Sequence, residues 1–161
     1  MLIRPVRTAD ADAVAVLLDQ LGYPQHEGVA ARLEVWQEDP SSAAFAAESE
    51  DGVLGVIAVH VCPHFERPGA WGRIVALVVA ETARGQGVGA RLVAAAESFA
   101  AAHGCERMEV TSNDRRADAH AFYEARGYTV QNGRSSRFLR DLDAPGPGTP
   151  NLSGPAGAAR R

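Results

Sequence analysis

The chain has 161 residues, of which 46% are hydrophobic and 22% charged, and a net charge of −4. That length and composition suit one domain able to bury a core without metal or disulfide staples. The basic footprint of a nucleic-acid binder is missing. All 16 basic residues are Arg, and without Lys no Schiff-base chemistry is available. The two cysteines, Cys62 and Cys105, form no Cys-x-x-Cys pair, which excludes a zinc knuckle or a thioredoxin-type motif and suits reduced thiols. The N-terminus turns polar at once and does not read as a signal peptide. The apolar runs at residues 53–62 and 74–80 are too short to span a membrane. The expectation is a cytoplasmic protein with neither nucleic-acid nor membrane partners.

Residues 2–6, with Pro5 near the end, read as an edge strand. Thr8 or Asp10 can cap a helix over 11–21, where Val14, Leu17, Leu18 and Leu21 keep the 3-and-4 spacing and Gly22 stops it. A loop at 23–26 leads to a second helix over 27–38, with Val29, Leu33 and Trp36 on one side. Strands 43–49 and 53–62 flank Asp51-Gly52, a hairpin signal. Loop 63–69 precedes strand 70–79, whose unbroken apolar run from Ile74 to Val79 predicts a central strand covered on both faces. After a turn over 81–89 comes a helix with Leu92, Val93, Ala96 and Phe99 inward, stopped near Gly104. Strand 107–111, a helix over 117–126 closed by Gly127, and a hairpin of 128–131 with 136–142 turned at Asn132-Gly133 complete the pattern. Trp36 and Trp71 are expected as core residues or groove walls, and the five Phe, Phe65 among them, mostly in the core. The fold class is α/β, a mixed sheet flanked by helices. The domain spans residues 1–142. Eight of the 19 residues in 143–161 are Pro or Gly, so this stretch reads as a flexible tail.

The segment Arg84-Gly85-Gln86-Gly87-Val88-Gly89 lies between the most hydrophobic strand and a helix start. Helix N-termini expose unpaired N–H groups and partial positive charge. Glycines let a phosphate approach that backbone without Cβ interference. The turn is therefore a candidate pyrophosphate cradle. A Walker loop is excluded, because it needs Gly-Lys-Ser/Thr. A dinucleotide fingerprint is formally matched by Gly85, Gly87 and Ala90, with Glu109 near the ribose-binding distance. That fingerprint should follow its strand directly, whereas residues 80–84 intervene, and too little chain follows for a second mononucleotide half.

Leu77-x-Val79, then Arg84-Gly85-x-Gly87-x-Gly89, resembles the acetyl-coenzyme A signature of the GNAT N-acetyltransferase superfamily, Gln/Arg-x-x-Gly-x-Gly/Ala. Residues 119–128, Ala-His-Ala-Phe-Tyr-Glu-Ala-Arg-Gly-Tyr, are similar to the family's second signature, Ala-x-x-x-Tyr-Glu-x-x-Gly-Phe/Tyr. The resemblance covers residues 2–142 and the element order. It implies a GNAT-like acyl-CoA N-acyltransferase fold, acetyl-CoA as cosubstrate and an amine acceptor. It implies that the backbone of Arg84, Gly85, Gln86, Gly87, Val88, Gly89 and Ala90 holds the pyrophosphate. It further implies that the strand at Leu77, Val78 and Val79 offers main-chain groups to pantetheine. The Val79 amide would polarise the thioester carbonyl. Tyr123 would be the general acid toward the departing thiolate, since a phenol with a pKa near 10 still holds its proton at neutral pH. Many members carry Asn three residues before the signature alanine. This chain has Arg116 there, and Asn113 is the nearby residue able to take over that contact. Ser112 and Arg115 are further candidate contacts, and a homodimer is common in the family.

The reaction so implied is direct attack of a neutral amine of a small molecule or protein on the thioester. The base that frees the amine is not singled out. Glu109, Glu81, His60 and His64 are candidates, and His120 shares a helix face with Tyr123. No His/Cys/Asp cluster has metal-ligand spacing, so no metal is expected. The competing reading is a non-catalytic acetyl-CoA sensor or interaction module.

Overall fold

The hairpin signal at Asp51-Gly52 becomes the centre of a five-stranded sheet in the computed structural model, which describes residues 1–24, 26–112 and 116–134. These fall into two compact units divided after Asn113. The first holds strands β1 (Leu2–Pro5), β2 (Ser42–Ser49), β3 (Gly52–Pro63), β4 (Ala70–Val79) and β5 (Cys105–Val110). Its helices are α1 (Ala11–Gln20), α2 (Val29–Glu38) and α3 (Val88–Ala102). The second unit holds α4 (Ala117–Glu124).

The sheet order is β1-β2-β3-β4-β5, antiparallel from β1 to β4, with β5 parallel to β4. A parallel neighbour requires a crossover, and α3 supplies it. Helices α1 and α2 cover one face, where Val14, Ala15, Leu17, Val29 and Leu33 pack with Val6, Ala46, Val56 and Val78. Helix α3 packs on β2, β3 and β4, with Leu92, Val93, Ala96 and Ala100 buried along one stripe. Three of the four expected inward residues, Leu92, Val93 and Ala96, are buried, whereas Phe99 is half-buried against Phe45 and Ala100 takes the next buried position.

Strand β4 and Leu92 crowd Gly55 so closely that a side chain is not accommodated without a shift. A Cβ there would stand 2.7 Å from the Val78 carbonyl oxygen and 3.3 Å from Leu92 Cδ1. Gly55→Ala is expected to destabilise the fold by about 1–3 kcal/mol, as overpacking against backbone does. Urea denaturation measures it, and an unchanged midpoint would show that β4 yields freely.

Strand β4 departs from the expectation of a run covered on both faces. The β3–β4 register pairs Ala58 with Ala76 but Val59 with Ile74, so Val75 is an extra residue on β4. This β-bulge shifts which side chains face which helices. Before it, Gly72 lies against Ala100 of α3; after it, Val78 joins the α1/α2 core. Val75 itself is 54% exposed. Phe65, expected in the core, is fully exposed in the β3–β4 loop, because that loop carries it away from both helical layers. Both cysteines are free and half-buried.

Boundaries differ from expectation at several ends. Helix α2 begins at Val29, because Gly28 before it takes a left-handed conformation (φ 70°). Strand β5 begins at Cys105 and ends at Val110. Among the described residues 128–131 form no strand, although the expected turn is present, with the Arg134 amide donating to Gln131 O (3.1 Å). The expected partner strand 136–142, Phe138 and the tail 143–161 lie outside the described residues. Among those described, no helix is long and apolar enough to cross a membrane.

Candidate active site

Strand β4 is paired on both edges only through Ile74. The β4–β5 ladder runs from Ala70 with Cys105 to Ile74 with Val110 and stops there, one residue before the bulge. Beyond it, the β5-side edge of β4 has no strand pairing among the described residues. Successive amides along a strand point to opposite edges. The Ala80 amide donates to Leu54 O of the β3 side (2.8 Å). The amides of Val79 and Leu77 therefore face the open edge. Val78 faces the β3 edge with its amide and buries its side chain, 5% exposed, in the core.

The chain leaves β4 through a single 3-10 turn, Glu81–Ala83, anchored by buried Ala83. Arg84 is extended, and Gly85 and Gly87 both have φ 76°. In that left-handed region a side chain is strained, which is why glycine stands there. A Cβ on either glycine would meet nothing within 4 Å, so the space above the turn is open. Gly87 is the N-cap of α3, whose bonding begins with the Arg91 amide donating to Gly87 O (3.2 Å). The amides of Val88, Gly89 and Ala90 have no intrahelical acceptor. Val88, 2% exposed, pins this helix start against the sheet. Gln86 Nε2 donates to Thr82 O (3.0 Å) and braces the turn. The Arg84 guanidinium lies 3.9 Å from Glu81 on the surface, a pairing that contributes little and leaves Arg84 available for an anion. Open donors, a helix N-terminus and no blocking Cβ make a site that fits a pyrophosphate.

In the second unit, Tyr123 sits on the last turn of α4. The Tyr128 amide donates to Tyr123 O (3.2 Å) and the Gly127 amide to Glu124 O (2.9 Å), with Gly127 at φ 84°. This is a Schellman cap, completed by the edge-to-face contact of Tyr123 and Tyr128 at 5.4 Å. Phe122 meets Tyr123 edge-on at 5.1 Å, and the Arg126 guanidinium lies 3.7 Å over the Phe122 ring. The Gly and aromatic residues of the second signature thus fix the helix end that carries Tyr123. Burial pushes the Tyr123 phenol above its usual value, with Arg116 and Arg126 partly opposing.

Three expected bases are constrained. Glu109 is bonded to Arg73 at 2.5 Å, and Glu81 is exposed beside Arg84. His64 is buried under Trp71 (ring centroids 5.0 Å) and accepts from Arg67 through Nε2 (2.8 Å). Asn113 and Arg115 lie outside the described residues. Among those described, no three His, Cys, Asp or Glu side chains converge as metal ligands. The bulge at Val75, one residue past the last β5 pair, has no local sign in an apolar run.

The sequence profile of the acetyltransferase (GNAT) family matches residues 12–128. The chain belongs to the GNAT acetyltransferase family. It is 34% identical over 143 residues to an aminoalkylphosphonate N-acetyltransferase of Salmonella typhimurium, covering 85% of this chain and 90% of that protein. GNAT acetyltransferases use acetyl-CoA, and this chain is an N-acetyltransferase of that family. Two solved structures show the same fold. One, a transcriptional regulator from Bacillus halodurans, has TM-score 0.78 and 21% identity over 87% of this chain and 99% of that one. The other, a GNAT family acetyltransferase from Staphylococcus aureus, has TM-score 0.71 and 23% identity over 88% and 98%. The mixed five-stranded sheet flanked by helices is therefore the GNAT fold, as the two signatures imply.

Proposed function

We propose that this GNAT enzyme holds the acetyl-CoA pyrophosphate on the turn of residues 84–90 and the pantetheine arm along the open edge of β4. The observation that carries this is the end of β5 pairing at Ile74, on the same strand that feeds the glycine turn. Leu77 and Val79 supply main-chain groups to the arm, and Val78 anchors the strand between them. The Val79 amide donates to the thioester carbonyl as negative charge develops on its oxygen. Tyr123 delivers its proton to the departing thiolate, and Asn113 contacts the arm.

The acceptor is a small primary amine bearing an anionic group, in the class of the aminoalkylphosphonates. The support is the relative's named substrate together with the extent of that match. Calorimetric titration with acetyl-CoA, NADH in parallel, tests the first half. Thiol release with 2-aminoethylphosphonate, polyamines and amino acids tests the second. Binding of NADH alone, or thiol release with polyamines alone, overturns the corresponding half.

Gly87→Ala tests the cradle. The left-handed backbone strains any Cβ by roughly 1–2 kcal/mol, so the helix start is expected to rotate its donors away from the phosphates. The expected result is about a tenfold or greater weakening of acetyl-CoA binding, read by calorimetry, with little change in the acceptor KM.

A further inference from the structure

A row of polar side chains crosses the sheet beside the point where β4 opens. The register places Ser42 of β2 opposite His60 of β3, His60 opposite Arg73 of β4, and Arg73 opposite Glu109 of β5. Arg73 and Glu109 stand one residue before Ile74 and Val110, the last pair of the β4–β5 ladder. Along β3, His60 follows Val56 and Ala58 at the period-two spacing, so it shares the face that α1 and α2 cover. It lies beyond their cover, with its side chain 39% exposed.

The partners of His60 determine its tautomer. Asp39, in the turn after α2, accepts from the Ser41 amide (2.9 Å) and from Ser42 Oγ (2.7 Å). Those two bonds, with His60 nearby, hold the Asp39 carboxyl below its usual range, so it is ionised and can only accept. The single Ser42 hydroxyl proton therefore goes to Asp39. Ser42 Oγ lies 2.8 Å from His60 Nδ1, and that contact can be bonded only if Nδ1–H donates to Ser42. In the neutral ring the lone pair then sits on Nε2, the nitrogen a general base uses.

We propose that His60 is the general base that frees the acceptor amine, and that Ser42 and Asp39 are positioning residues that hold its tautomer. This rests on the acetyl-transfer reading above. Strands lie about 4.8 Å apart, so His60 is one strand from the opening in which that reading places the pantetheine arm. The acceptor ammonium gives a proton to Nε2, leaving imidazolium and free amine. The amine lone pair forms the C–N bond to the acetyl carbon, and the C–S pair leaves as thiolate. Tyr123 protonates the thiolate, and the surplus proton on the new amide nitrogen returns to tyrosinate. The imidazolium then releases its proton to water, so one acetyl transfer yields amide, thiol and one proton. The charged or titratable groups facing His60 are Asp39 from the α2–β2 turn, Arg73 from β4 with its partner Glu109 from β5, and Cys62 two residues along β3.

The test uses the full chain with acetyl-CoA and the acceptor panel. His60→Gln is expected to lower kcat/KM about a hundredfold at about pH 7. The deficit should shrink severalfold or more by about pH 9.5, as amines with a pKa near 10 begin to deprotonate unaided. Acetyl-CoA affinity should hold, whereas a merely structural loss would not recover with pH. Nitrogen NMR of the imidazoles should show His60 as the Nδ1–H tautomer in the wild type and a mixture in Ser42→Ala. A His60→Gln profile parallel to wild type at every pH overturns the base role alone, as does an Nε2–H tautomer in the wild type. A chain that binds acetyl-CoA but acetylates no amine overturns the acetyl-transfer assignment, and the base role with it.

Discussion

Tyr123→Phe is expected to reduce kcat about a hundredfold while changing acetyl-CoA affinity by no more than about twofold. The substitution keeps the ring, and with it the contacts to Phe122 and Tyr128 and the Schellman cap at Gly127. Only the hydroxyl is lost. A proton delivered to the leaving thiolate acts in the transition state, so its removal should appear in kcat and not in ground-state binding. The phenol is held above its ordinary value by burial, so it remains the acid form at neutral pH. Any activity lost through ionisation of Tyr123 therefore falls on the alkaline side, above about pH 10, and nothing is lost on the acid side. Steady-state rates with calorimetric affinities check both parts. Equal kcat in the two proteins would assign the acid role elsewhere.

Arg4→Met is expected to destabilise the first unit by about 3–5 kcal/mol, the usual effect of stripping one partner from a buried ion pair. Arg4 is only 6% exposed, yet its guanidinium is fully engaged. It donates to both oxygens of Asp10 (2.7 and 2.9 Å), both of Glu48 (2.7 and 2.8 Å) and to Pro5 O (3.1 Å). Asp10 also accepts from the Arg7 amide (2.7 Å), so the cluster ties β1 to β2 and to the start of α1. Without Arg4 the Asp10 carboxylate is left buried with only that amide. A domain of ordinary stability, about 5–15 kcal/mol, would keep little margin. The guanidinium holds the Asp10 carboxyl below its usual value. A depressed carboxyl pKa stabilises the fold above the unfolded-state value, near 3.8, and loses that contribution as pH falls through the lower folded-state value. Acid unfolding of the wild type should therefore steepen below about pH 4, and Arg4→Met should lack that component. Denaturant midpoints measured across that range decide it.

The glycine turn, the helix carrying Tyr123 and the helical stripe of α3 were legible because each rests on local chemistry. A positive φ calls for glycine, and an amphipathic helix repeats over a few residues. The Asn132-Gly133 turn was legible for the same reason. The apolar run from Ile74 to Val79 marks a strand but neither its bulge nor the exposure of Val75, since nothing in six apolar residues singles out the extra one. Phe65 is exposed despite its hydrophobicity, which does not by itself say whether a loop folds inward.

The family, the order of the elements through α4, the glycine turn over residues 84–90 and the helix end at Gly127 all follow from residues close together in the chain. The bulge at Val75, the end of β5 pairing at Ile74 and the joining of Asp10 to Glu48 through Arg4 emerge only from packing between distant segments. So does the row of Ser42, His60, Arg73 and Glu109 across four strands. Register governs each of these. Which residues face one another across a sheet depends on the pairing of segments many residues apart, and a shift of one residue exchanges the two faces.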